Sequence, residues 1–168
     1  PQNIKRWSCR TMAEKLKILI AEDEEVTRHL FQIAFRDEGK FEARMVCDGE
    51  QALAAFKEWR PDVVLLDIKM PGGMDGIETL REIRKQQPIA EVILLTGHAS
   101  VETSIEGMQL GAFDYLLKPV RFEELLGKIA SAFEKKSLQE VKISDARIRQ
   151  LSLPSDASGG TDGTRKKK

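Results

Sequence analysis

The chain is poor in the residues and runs from which many functions are built. Of 168 residues, two are cysteine and two are histidine. Cys9, in a polar leader, and Cys47, expected in a strand, have neither metal-ligand spacing nor a disulfide framework, which suits a reducing compartment. His29 and His98 lack a metal-binding companion and read as surface residues. No apolar run approaches the roughly 18 residues that span a bilayer, and the start PQNIKRWSCRT has no apolar signal-peptide centre. A soluble, cytoplasmic protein with no membrane partner is expected. Excess charge is missing too: Lys and Arg number 27, as do Asp and Glu. No global field favours nucleic acid, an anionic membrane or a cationic substrate, so any charge logic is local.

What is present is enough for one domain with a buried core. MAEKLKILIAEDEE reads as a natural start, so residues 1–13 are set aside as a flexible leader, either added or an upstream extension. At the other end, SLPSDASGGTDGTRKKK has too little apolar surface to order itself, and its RKKK reads as a solvated tail. Between them, short apolar runs alternate with amphipathic segments. Strands are expected at 17–21, 42–47, 62–67, 91–96 and 114–118, and helices at 25–38, 49–59, 76–86, 101–110 and 121–136. Gly39, Pro61, Pro88 and Gly111 stand where helices should stop. The last apolar stripe continues weakly through SLQEV (137–141), and DARIRQL (145–151) is a weak candidate for a separate short helix. The organisation read here is thus a domain over 14–136, then a helical extension and disordered tail over 137–168.

Strands that are apolar throughout suit a parallel sheet buried on both faces, and right-handed crossovers place helices on each side. That is a doubly wound α/β fold. All its strands end on one edge, and ligands bind where strand order reverses. Strand one ends in Glu22 and Asp23, strand three in Asp67, strand four in Thr96, and strand five in Lys118 before Pro119. Singly, each residue has a commonplace role: a solvated strand end, a helix cap, a loop opener. Together they put three acids, a hydroxyl and an ammonium on one rim. Clustered carboxylates in partial burial need a compensating cation. Oxygen ligands without His or Cys favour a hard ion that keeps waters and a phosphate oxygen, which is Mg²⁺. A carboxylate can attack phosphorus to form an aspartyl phosphate, with Lys118 and the Thr96 hydroxyl on phosphoryl oxygens.

The segments ILIAEDEE, VVLLDIKMPGGMDG, ILLTGHAS and AFDYLLKPV resemble the receiver domain of bacterial two-component response regulators, over about residues 14–135. The resemblance is to chemotaxis-regulator-like receivers and, in TGHASVETSIEGMQLGAFDYLLKPV, to receivers of transcriptional activators. It implies a flavodoxin-like (βα)5 sheet of order 2-1-3-4-5. It implies that Asp67 is the phosphoacceptor, that Glu22, Asp23, Asp67 and the Lys69 carbonyl hold Mg²⁺, and that Thr96, Tyr115 and Lys118 contact the phosphoryl group or switch. A cis bond before Pro119 is also implied. Two departures stand out: Glu22 where the family more often has Asp, and one extra residue in the MPGGMDG loop, which Gly72 and Gly73 should let bulge outward.

The implied function is a phosphorylated switch and not an enzyme on a separate substrate, although the domain assists its own phosphorylation and dephosphorylation. Its donor would be a sensor histidine kinase or phosphotransfer protein. Its output would be an effector or a second copy bound at the 101–136 face, with no direct nucleic-acid contact. A metabolite phosphatase would need a cap and an acid two residues beyond the nucleophile, where Lys69 stands. A flavin module would need a Ser, Thr and Gly-rich phosphate loop in place of AEDEE. A phosphorylation-independent pseudo-receiver would lack a core residue, and none is missing. After the fifth helix about thirty residues remain, too few for a DNA-binding or ATPase domain, so a single-domain regulator or part of a longer one is expected.

Overall fold

The computed structural model describes residues 15–97 and 101–151. The leader, His98 and the tail from residue 152 lie outside the described residues. Strands and helices alternate as β1 (Leu16–Ala21), α1 (Glu25–Glu38), β2 (Phe41–Val46), α2 (Gly49–Trp59), β3 (Val63–Asp67), α3 (Gly76–Gln86), β4 (Glu91–Thr96), α4 (Val101–Gln109), β5 (Asp114–Leu117) and α5 (Phe122–Leu151). All pairings are parallel, in the order β2-β1-β3-β4-β5, the flavodoxin-like arrangement.

Side chains alternate between the two faces of each strand, and each face has its own core. Leu19, Ala21, Val64, Leu66, Val92 and Leu94 pack against α2 and α3 through Phe56, Ile77, Leu80 and Ile83. Ile18, Ile20, Val63, Leu65, Ile93 and Leu95 pack against Phe35 of α1 and Leu125, Ile129 and Ala132 of α5. The central strands β3 and β4 are buried at every position, whereas edge strands β2 and β5 are partly exposed. Truncating a fully buried core leucine such as Leu66 or Leu94 costs roughly 2–5 kcal/mol by the transfer and cavity terms.

Helix ends follow the expected stop signals. Gly39 closes α1 in the left-handed region at φ 66°. α2 has no glycine there; Arg60 takes φ 50° because Pro61 disfavours the helical region for its predecessor. Strand β2 is displaced by one residue from its expected span, so Cys47 lies just beyond it, accepting a hydrogen bond from Gln51 Nε2 at 3.1 Å.

The end of α5 differs from expectation. In place of a helix over 121–136 continued weakly to 141 and a separate weak helix at 145–151, one helix runs without interruption for 30 residues to Leu151. No glycine or proline falls between residues 137 and 151, and Pro154 is the first breaker. An ion pair from Lys136 to Glu140, at 3.9 Å, and a bond from Ser137 Oγ to the Phe133 carbonyl, at 2.9 Å, lie across that boundary within the one helix. The fading apolar stripe marks where the helix leaves the core, not where it stops.

Candidate functional site: an acidic rim with one lysine

Strand order reverses between β1 and β3, which opens a crevice at their C-terminal ends. Glu22 follows β1, Asp67 closes β3, Thr96 closes β4, and Lys118 comes immediately after β5. The topology therefore brings residues 96 positions apart in sequence into contact. Glu22, Asp67 and Thr96 are buried and Asp23 is half-buried. Carboxylate oxygens of Glu22, Asp23 and Asp67 all lie within 4.8 Å of one another.

The lysine expected on a phosphoryl oxygen is already paired with these acids. Lys118 Nζ reaches Glu22 Oε2 at 2.5 Å and Asp67 Oδ2 at 2.6 Å. Asp67 also accepts the Lys69 N–H at 3.1 Å through its other oxygen. Burial pushes the Glu22 carboxyl up; the Lys118 hydrogen bond and charge oppose this, and the Asp67 charge adds to it. For Lys118, burial pulls the ammonium down, but its bonds and charge interactions with Asp67 and Glu22 outweigh that and raise it, so it stays charged. Three acids still face one lysine. The donor set is all oxygen and compact, which fits a hard divalent ion such as Mg²⁺ with room for water.

The loop after Asp67 explains its unusual composition. Gly76 begins α3 directly against the end of β3: a Cβ there would stand 2.2 Å from the Asp67 carbonyl oxygen. Asp75 and Glu78 form a capping box at the same helix start. Gly72, in the extra-residue stretch, adopts φ 101°, closed to most side chains. The following turn is held from α2, where Glu50 Oε1 accepts the Met74 N–H at 3.0 Å.

The commonplace reading of Glu22 or Asp23 as a helix cap does not hold, because the N-cap of α1 is Glu24, which makes no side-chain cap hydrogen bond. Tyr115 is 40% exposed on β5; its register partner on β4 is Leu94, two residues before Thr96, whose own partner is Leu117. The bond between Lys118 and Pro119 is cis, as the resemblance implied. His29 is exposed. Two contacts were not foreseen. Arg28 donates from Nη1 to the backbone carbonyls of Glu22, at 2.8 Å, and Asp23, at 2.5 Å. Glu50 clamps the glycine loop. Their signal was faint: an arginine one turn into the helix after the acid pair, and an acid beginning the helix beside the loop.

A 2-1-3-4-5 parallel sheet carrying an acid triad and a lysine at its switch point defines a receiver-type domain. Residues 18–130 match the family described as the response regulator receiver domain, and the chain belongs to that family, a signalling domain of two-component systems. It is 41% identical over 124 residues to the regulatory protein AtoC of Escherichia coli, covering 74% of this chain and 26% of that protein. To the transcriptional regulatory protein ZraR of Klebsiella oxytoca it is 33% identical, covering 86% of this chain and 32% of that protein. The chain thus spans about a quarter to a third of the length of these two curated relatives. Its fold is similar to a CheY-like receiver domain from Methanospirillum hungatei, with TM-score 0.71, 29% identity, and coverage of 75% of this chain and 99% of that one. It is similar also to NtrX from Brucella abortus, with TM-score 0.72, 33% identity, and coverage of 85% and 32%. Among the described residues no helix is long and apolar enough to cross a membrane.

Proposed function

We propose that the chain is a cytoplasmic receiver that accepts a phosphoryl group on Asp67 and relays it as a changed binding surface. The observation that carries this reading is the placement of Asp67: buried at a strand end, 2.6 Å from the Lys118 ammonium, with the Glu22 and Asp23 carboxylates alongside. The donor is the phosphohistidine of a sensor histidine kinase or phosphotransfer protein. An Asp67 carboxylate oxygen forms the new O–P bond while the P–N bond breaks; its electron pair returns to the imidazole, which takes up a proton. Lys118 exchanges its hydrogen bond with Asp67 for one with a phosphoryl oxygen, and the Thr96 hydroxyl donates to another. Glu22, Asp23, Asp67 and the Lys69 carbonyl would hold Mg²⁺, which would supply positive charge to offset that of the transferring group. Later hydrolysis adds water to phosphorus and returns Asp67 as a free carboxylate with inorganic phosphate, so the domain assists both its own phosphorylation and dephosphorylation.

The signal is read on the face formed by residues 101–136, by an effector or by a second copy of the chain. Incubation with acetyl phosphate and Mg²⁺ should add one phosphate by mass, and Asp67→Asn should add none. Undiminished phosphate in the variant would move the acceptor elsewhere.

A further inference from the structure

The acid pair sits on the turn between β1 and α1, tied to β2 by the Glu22 N–H bond to the Val46 carbonyl at 3.1 Å. The helix after it starts at Glu25 with no side-chain cap, and the first-turn N–H groups of any helix attract nearby carboxylates. A carboxylate drawn onto that helix end would turn away from the crevice. The Glu22 carboxylate is held weakly on the chain's own side: its Oε1 meets the Glu24 N–H only at 3.4 Å, longer than a good hydrogen bond. Its strong contact is with Lys118, an ammonium it shares with Asp67.

Against this, one nitrogen of Arg28 spans both carbonyls of the pair, at 2.8 Å to Glu22 and 2.5 Å to Asp23. The arginine is itself half-buried and fixed on α1 by the helix bond from its N–H to the Glu24 carbonyl, at 3.0 Å. The two carbonyls belong to the successive peptide planes on either side of the Asp23 Cα, so fixing both fixes the direction in which the Asp23 side chain leaves the backbone and restrains ψ at Glu22. We infer that Arg28 is a positioning residue for the acid pair, aiming Glu22 and Asp23 into the crevice by gripping their backbone carbonyls. This rests on the reading of the rim as a Mg²⁺ and phosphoryl site.

Charge alone argues the opposite effect, which makes the inference testable by sign. A guanidinium beside a cation site repels the cation, so an arginine acting only as local charge would strengthen Mg²⁺ binding when removed. An arginine that orients ligands weakens binding when removed, by about 10-fold or more for residues that support ligating groups. The test uses the full chain and Mg²⁺ alone, titrated against amide chemical shifts at the rim, with thermal unfolding measured without metal. Arg28→Ala should raise the Mg²⁺ Kd about 10-fold. At saturating Mg²⁺ its rate of phosphate uptake from acetyl phosphate should return to near wild type, and Arg28→Lys should recover part of the affinity. An unchanged or tighter Kd in Arg28→Ala would overturn the inference, as would a lowered unfolding temperature with no change in Kd. If Arg28→Ala fails to fold, a Kd for Arg28→Lys equal to wild type overturns it and a weakened one supports it. Absence of phosphate on the wild-type chain would instead remove the phosphoryl reading, while the Mg²⁺ comparison would still decide the role of Arg28.

Discussion

Lys118 and Asp23 differ in what each holds before any metal arrives. Lys118 is the shared partner of two buried carboxylates, and its side chain is only 20% exposed. Replacing it by methionine leaves Glu22 and Asp67 facing each other with no ammonium between them. Breaking a fully buried pair costs about 3–5 kcal/mol, and partial solvent access together with proton uptake by one acid reduces that, so a loss of about 1–3 kcal/mol is expected. Mg²⁺ should recover a larger part of the unfolding temperature in Lys118→Met than it adds to wild type; equal metal-free stability of the two proteins would contradict this. Asp23 is half-buried, adds like charge to the cluster, and is not the N-cap residue of α1. Asp23→Ala should therefore abolish Mg²⁺ binding while leaving metal-free stability unchanged or slightly higher. A large metal-free loss in denaturant unfolding would mark Asp23 as a structural residue. The acids were legible in the sequence because strand ends converge on one rim. Arg28 and Glu50 were not, because a side chain gripping a carbonyl or an amide leaves no characteristic spacing.

Elements whose length burial dictates were read almost to the residue. β4, α1, α2 and α3 span the residues expected for them, since apolar runs bounded by Gly, Pro and cap residues leave little freedom. β1, β2, β3 and β5 each depart by one residue at one or both ends, buried β3 as well as exposed β2, because strand ends are set by pairing with neighbours that an apolar pattern does not specify. α5 was misjudged for another reason: beyond Lys136 its extent is set by backbone propensity and local pairs, not by core contact. Leu138, Val141 and Ile148 of this stretch are each more than half exposed. Ending the chain at Ser137 should remove helical ellipticity at 222 nm but cost less than about 1 kcal/mol, since surface changes rarely exceed about 0.5 kcal/mol each. The Lys136–Glu140 contact, at 3.9 Å with the glutamate half exposed, adds little. A loss of several kcal/mol on truncation would show that the extension packs on the domain.

At the scale of the whole molecule, the proposed function requires the rim to communicate with a face formed by α4, β5 and α5. β4 and β5 provide the connection: Thr96 ends one, and its carbonyl accepts the Lys118 N–H at 2.8 Å, so the hydroxyl and ammonium assigned to the phosphoryl group are tied together through backbone. Tyr115 lies on β5, 40% exposed, so the ring is not locked in place by a packed core. The same face carries Ile105, Met108 and Leu117, which are 51%, 45% and 57% exposed, so a repositioned ring would alter an apolar surface already open to solvent. When the Thr96 hydroxyl turns toward a phosphoryl oxygen, it vacates volume beside the ring, and a difference of a few kcal/mol between ring positions is enough to shift the population. Saturation with beryllofluoride and Mg²⁺, as a phosphoryl mimic, should shift amide resonances at the rim and across α4, β5 and the first turns of α5, while α2 stays nearly unchanged. Thr96→Ala and Tyr115→Ala should each keep the rim shifts and lose the distant ones. Distant shifts that persist in both variants would show that the signal leaves the rim by another route, through α4 alone.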